Sequence, residues 1–191
     1  VFRMSEILSS MKDKNGRVTI EGFYDGITID KETQAILAGV PDDEKKMMED
    51  MQFNTFDNVG ANYQESIQYP SLNVRGIESG WVREEVRTIV PSECIAEIDV
   101  RLVLESDPVR LHNLIKEHIK ELGYFIMDRR PTKEERLKHN KIVTFVSTFD
   151  YDAFRTDIDS DIGKWLVESL KKTFNTDPVK KRTSGGSVPI S

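Results

Sequence analysis

The sequence predicts an α+β fold in which an antiparallel sheet is covered by helices on one face. Three observations carry that expectation. From Cys94 to Leu104 every even position is apolar (Cys94, Ala96, Ile98, Val100, Leu102, Leu104), while the odd positions include Glu97, Asp99 and Arg101. Alternation with period two means a strand packed on one side and polar on the other, as in a sheet covered on a single face. Asp107-Pro108 then opens a helix whose stripe is Leu111, Leu114, Ile115, Ile119 and Leu122, with Gly123 placed to end it. The order helix, strand, strand, helix, strand describes most of a split βαβ (ferredoxin-like) domain. That arrangement needs one more strand before the first helix, so the first strand is expected to be missing, just upstream of Val1.

The elements follow in order. Met4, Ile7, Leu8 and Met11 form one helical face over residues 2–12, stopped by Asn15-Gly16. Arg17 to Ile20 predicts a short strand. Residues 31–38 and 41–51 each predict a helix, the second with Pro41 near its first turn and Asp42, Asp43 and Glu44 where the helix dipole favours acids. Residues 52–69 have no period and are expected to be irregular. Leu72, Val74 and Ile77 predict a strand ending near Gly76, and Val86 to Val90 a short extended run stopped by Pro91. Tyr124–Met127 and Ile142–Phe149 read as strands separated by a charged stretch, Asp128 to Lys141. Ile162, Trp165, Leu166, Ser169, Leu170 and Phe174 line one face of a helix from about Ser160 to Asn175.

Composition narrows the function. The formal charge of −6, with no basic stripe interleaved with aromatics, argues against a nucleic-acid partner. No apolar run reaches the length of a membrane span, and the N-terminus does not resemble a signal peptide. One cysteine, Cys94, excludes an internal disulfide and a multi-cysteine zinc site, and cytoplasm is the default compartment. The chain begins without Met and stops in the glycine-rich phrase Gly185-Gly186-Ser187-Val188-Pro189-Ile190-Ser191, so it is expected to be a segment of a longer protein.

Few residues carry chemistry by themselves. Asp157, Asp159, Asp161 and Glu168 imitate a calcium loop, but Ile162 stands where the sharp turn requires Gly, and acids at a helix start follow from capping alone. His112 and His118 are six apart on one helix and so fall on different faces, and His139 is expected to be exposed. Cys94 is expected to be an inert core residue on the apolar face of its strand. Arg101, on the polar face, has two readings: a same-face ion pair with Asp99 or Glu97, or a planar fork that binds a substrate carboxylate. Gly185-Gly186-Ser187 likewise reads as an ordinary turn or as an anion-binding turn rich in N–H donors.

Several phrases, kept in order, decide between such readings. Lys12-Asp13 with Asn15-Gly16-Arg17-Val18-Thr19-Ile20 and Gly22-Phe23-Tyr24-Asp25, then Pro70 to Ile77, Arg87-Thr88-Ile89-Val90-Pro91, Ala96 to Val103, and Arg182 to Ile190 with its Gly-Gly-Ser turn, resemble a metallopeptidase family. It is the family of carnosinase, cytosolic non-specific dipeptidase, aminoacylase and succinyl-diaminopimelate desuccinylase. The insertion from about Ile27 to Tyr69 looks most like the dipeptidase branch.

The resemblance implies that residues 1–150 are a lid and dimerisation domain with an insertion at about 27–69, and that residues 151–191 are a fragment of an α/β catalytic domain. It implies a hydrolase using two Zn or Mn ions on dipeptides or N-acyl amino acids, and a homodimer formed through the lid. The family's metal ligands and catalytic glutamate would lie outside Val1–Ser191, so the segment alone is expected to be inactive, with no metal or catalytic residue of its own. Four substrate-binding residues carry over: Thr88, contacting substrate from the neighbouring subunit; Arg101, on the peptide's C-terminal carboxylate; and Gly186 and Ser187, in the turn that closes on that carboxylate. Ser184 departs from the Glu that close dipeptidases have before the two glycines. The competing expectation is a non-catalytic ferredoxin-like module for oligomerisation or ligand sensing.

Overall fold

A computed structural model describes residues 1–186. The chain divides into two compact units: unit 1 takes Val1–Asp25, Pro70–Leu102 and Ser106–Asp150, and unit 2 takes Gly26–Tyr69, Val103–Glu105 and the chain from Tyr151 on.

Unit 1 is the α+β domain. Helix α1 (Phe2–Met11) buries Ile7 and Met11. The Asp13 carboxylate then accepts N–H bonds from Asn15 (2.8 Å) and Arg17 (2.9 Å), turning the chain back on the helix end. Residues 17–20 do not form the predicted strand: they make one isolated bridge, Lys12 to Val18, because the partner backbone there is the last turn of α1. Their apolar side chains are still core, with Val18 and Ile20 buried beside Phe23.

Strands β1 (Ser71–Glu78) and β2 (Ile95–Arg101) pair antiparallel, Leu72 opposite Val100 and Ser71 opposite Arg101, with a bulge between Val74 and Gly76. Helix α5 (Pro108–Glu121) is capped by Asp107, whose carboxylate accepts from the Val109 and Arg110 N–H groups at 2.9 and 3.1 Å. Leu111, Ile115 and Ile119 of α5 join Ile7, Met11, Leu72 and Tyr124 in one core, against which Ile98, Val100 and Leu102 pack. Both helices therefore cover the same face of the sheet, and Asn73, Glu97, Asp99 and Arg101 are left on the other. Burying the α5 stripe is worth about 1.5–3 kcal/mol per side chain, which outweighs the propensity of any residue in the helix.

Strand β3 (Phe125–Met127) pairs with β4 (Ile142–Thr144) in parallel, because the Asp128–Lys141 connection is long enough for a crossover and contains a helix, α6 (Lys133–Lys138). That helix carries a capping box: the Thr132 side chain accepts from the Glu135 N–H, and the Glu135 carboxylate from the Thr132 N–H. Bonds from Arg129 and then from the Thr132 backbone hold the Glu135 carboxyl at about 2. β4 is shorter than the predicted Ile142–Phe149, since the three-residue β3 offers no partner further on; Val146 and Phe149 are exposed. Among the described residues the second edges of β2 and β3 have no strand partner.

Other expectations are corrected. Val86 to Val90 is not extended in a sheet; it follows a single turn at Arg83–Glu85, with Val86, Ile89 and Val90 exposed, because no strand lies beside it. Cys94 precedes β2 and is half-buried rather than core. Leu104 lies beyond the strand and is exposed. His139 is half-buried and stacks on Phe125, ring centroids 3.8 Å apart, rather than standing in solvent. His112 and His118 serve different faces as expected, the first near Ser147 (2.7 Å) and the second near Ser10 (2.9 Å).

Unit 2 holds α2 (Lys31–Ala38), capped by Asp30, α3 (Glu44–Met51), capped by Asp43, a single turn α4 (Tyr63–Ser66), and α7 (Asp161–Phe174), capped by Ser160. Helix α3 starts at Glu44, three residues after the expected 41, so Pro41 stands just before it. Helix α7 has the predicted apolar stripe, and its Ile162, Trp165, Leu166 and Phe174 are exposed.

Candidate substrate-binding residues

Arg101 ends β2 on the polar face of the hairpin. Its Nε stands 3.3 Å from the Asp99 carboxylate two residues back, and its side chain is 56% exposed. The ion-pair reading is therefore present in the structure. A pair this open to solvent contributes about 0–1 kcal/mol. Arg75 pairs with Glu97 at 3.1 Å on the same face.

Thr88 lies in the loop that joins β1 to β2. The loop has a defined stem: Ser79 Oγ donates to the Glu93 carbonyl at 2.8 Å, and Gly80 (φ +65°) sits so close to Pro91 that a Cβ would come within 2.8 Å of the ring. Beyond the stem the Arg87 guanidinium lies 4.5 Å from the Trp81 ring centre, and the Ile89 N–H donates to the Arg87 carbonyl at 2.9 Å, bending the chain at Thr88. Thr88 is exposed. This loop closes the hairpin at the Glu78–Ile95 end, whereas Arg101 pairs with Ser71 at the other end. At about 3.3 Å per residue, β2 alone separates the two ends by roughly 20 Å. One chain does not bring Thr88 and Arg101 together.

Gly186 belongs to unit 2 and is exposed. Gly185 before it adopts φ +69°, the left-handed backbone that favours glycine, and its N–H donates to Thr183 Oγ1 at 3.2 Å. Ser187 lies outside the described residues.

Sequence reasoning did not single out Glu105, Arg155 and Arg182, which form a polar cluster within unit 2. Arg155 donates to both Glu105 oxygens, at 2.6 and 3.2 Å, and Arg182 reaches the same carboxylate at 3.4 Å. Burial alone would push the Glu105 carboxyl up; the Arg155 bonds, a backbone bond and the charges of Arg155 and Arg182 together outweigh it and leave it below the usual carboxylate range. The one available signal was position: Glu105 follows Arg101 by four residues, and Arg182 precedes Gly185 by three. Among the described residues, no group of three or more His, Cys, Asp or Glu side chains is placed to hold a metal ion, and no helix is long and apolar enough to cross a membrane.

The model of the peptidase dimerisation domain matches residues 1–126. The chain belongs to the M20 peptidase dimerisation-domain family. The chain has curated relatives among dipeptidases: it is 23% identical to the Cys-Gly metallodipeptidase DUG1 of Saccharomyces cerevisiae, covering 98% of this chain and 37% of that protein. It is 22% identical to the Beta-Ala-His dipeptidase of Homo sapiens, covering 97% of this chain and 35% of that protein. The chain thus spans little more than a third of the length of the curated relatives it matches. An M20 family metallo-carboxypeptidase from Sulfolobus solfataricus superposes with a TM-score of 0.72 at 28% identity, over 99% of this chain and 40% of that one. Human carnosine dipeptidase 1 superposes with a TM-score of 0.73 at 18% identity, over 99% of this chain and 38% of that one, a likeness of fold alone.

Proposed function

We propose that this chain is the substrate-gripping and dimer-forming part of a metal-dependent hydrolase of dipeptides or N-acyl amino acids, and that Arg101 binds the C-terminal carboxylate of the substrate. One observation carries the reading: Arg101 stands on the polar face of the hairpin with its side chain 56% exposed, where its guanidinium is open to a ligand from solvent. Its planar donors suit bidentate capture of a carboxylate, and that capture fixes the peptide's register and so favours short substrates. The non-catalytic alternative is not favoured, since the relatives over almost the whole chain are metallodipeptidases and peptidases.

Thr88 serves the same substrate from a second copy of the chain; its position at the far end of the hairpin from Arg101, together with the family's dimerisation role, supports this. The Gly186–Ser187 turn supplies further donors to the carboxylate. The whole protein takes two Zn or Mn ions, which polarise the scissile carbonyl and activate water when bound. The work proposed for this chain is binding and orientation. A cytoplasmic setting agrees with the single cysteine, and a homodimer with the family's dimerisation domain.

The test is steady-state hydrolysis by the intact protein of a dipeptide and of the same dipeptide amidated at its C-terminus. Arg101→Ala is expected to lower kcat/KM for the free acid by about 30- to 100-fold, as for a lost charge-assisted bond, and to change the amide little. Equal losses on both substrates, or none on either, would overturn the assignment. Chelation is expected to abolish turnover of both.

A further inference from the structure

We propose that Glu105 is a positioning residue for the Gly185-Gly186 turn: held by Arg155 and Arg182, it fixes the chain entering the turn and so aims the turn's backbone donors. The inference rests on the carboxylate reading given above and adds to it a residue that the resemblance does not assign.

The cluster is built as an anchor. Arg155 grips Glu105 with two parallel bonds, Nη2 to Oε1 at 2.6 Å and Nη1 to Oε2 at 3.2 Å, a fork that sets direction as well as distance. Arg182 adds Nη2 to Oε1 at 3.4 Å and spends its other arm on Thr33 Oγ1, also at 3.4 Å. The three side chains are 20%, 29% and 17% exposed, against 56% for Arg101, so these bonds are shielded from water and salt where a surface pair is not. Arg182 is thereby held from two sides, by Glu105 and by the first turn of α2.

Three residues further on the chain reaches Gly185-Gly186, and glycine pairs lose more conformational freedom on ordering than any other residues. Backbone donors aimed at an anion need a fixed stem; here the stem contributes Arg182 to the ion cluster and Thr183 Oγ1 to the Gly185 N–H. The carboxylate that fixes it comes from the segment that follows Arg101 by four residues. A neutral amide at position 105 keeps the shape but loses the charge that binds two guanidiniums.

The experiment uses the intact protein with Glu105→Gln, and Arg101→Ala as reference. Hydrogen–deuterium exchange of the peptide spanning Thr183–Gly186 is expected to quicken about tenfold in Glu105→Gln and not at all in Arg101→Ala. KM for the free dipeptide is expected to rise about tenfold with kcat little changed, and KM for the amidated dipeptide to stay as it was. Unchanged exchange in the turn overturns the positioning role. Faster exchange with an unmoved KM upholds that role and overturns the turn's assignment to the carboxylate, so the two ideas fail separately. If Glu105→Gln does not fold, Arg182→Lys, which keeps the charge and loses the second arm to Thr33, is expected to quicken the same amides by a smaller factor; no change there overturns the proposal.

Discussion

Tyr124 joins the two ends of unit 1, and replacing it by Phe gives a prediction with a sign in pH. The residue is 3% exposed, yet its hydroxyl reaches back to α1, donating to Glu6 Oε2 at 2.7 Å beside the Arg3 carbonyl at 3.1 Å. Lys141 bonds Glu6 as well, at 2.9 Å, and its bond leads those that hold the Glu6 carboxyl below its usual range. Burial first, and the Glu6 carboxylate second, push the Tyr124 phenol up to about 12 from the usual 10.

Below pH 10 both folded and unfolded chains keep the phenol protonated, so its bonds contribute in full. Between pH 10 and 12 the unfolded chain ionises while the folded one does not, and that contribution is lost as pH rises, by up to about 1.4 kcal/mol per unit. Tyr124→Phe is therefore expected to destabilise by about 1–2 kcal/mol at pH 7, the net worth of a buried hydroxyl bonded to a carboxylate. The gap between parent and variant should narrow above pH 10, and taking the difference cancels the titration of the lysines. Urea unfolding of the intact protein at pH 7, 9, 10 and 11 measures it. A gap that stays constant to pH 11, or widens, would refute the burial argument.

Leu111, 1% exposed in the first turn of α5, is expected to cost about 2–5 kcal/mol as Ala, while Val109→Ala on the exposed side of the same helix stays within about 0.5 kcal/mol; denaturant midpoints compare them. For the trans role of Thr88, Arg101→Ala and Thr88→Ala subunits, each expected to be impaired on the free dipeptide, are mixed, allowed to exchange and assayed on that substrate. Heterodimers then have one site with both residues intact, and the mixture recovers about a quarter of parental activity; no recovery would place Thr88 in the same subunit's site as Arg101.

What could be read from the residues depended on how local the determining physics is. Helix α5 was legible to its ends because Asp107, Pro108 and Gly123 act on their own neighbours. The packed face of β2 was legible because alternation records burial directly, and Arg101 fell on the correct face with it. Helix α6 escaped because its one aliphatic side chain, Leu137, is exposed and no stripe forms; the Thr132–Glu135 capping box was the signal that could have found it. Val86 to Val90 has strand composition but no neighbouring strand, and β-structure needs a partner that composition does not reveal. The Glu105 cluster joins residues 50 and 77 positions apart, a closure that only the fold supplies.

In the proposed binding mode the Arg101 guanidinium exchanges its neighbour Asp99 for a ligand carboxylate. The most direct measurement is a crystal structure of the intact protein with a non-cleavable dipeptide analogue. The expected result is the analogue's carboxylate in a two-bond fork with Arg101, and Asp99 released from the 3.3 Å contact it makes in the free chain. A carboxylate bound by other groups, with Arg101 still on Asp99, would contradict it.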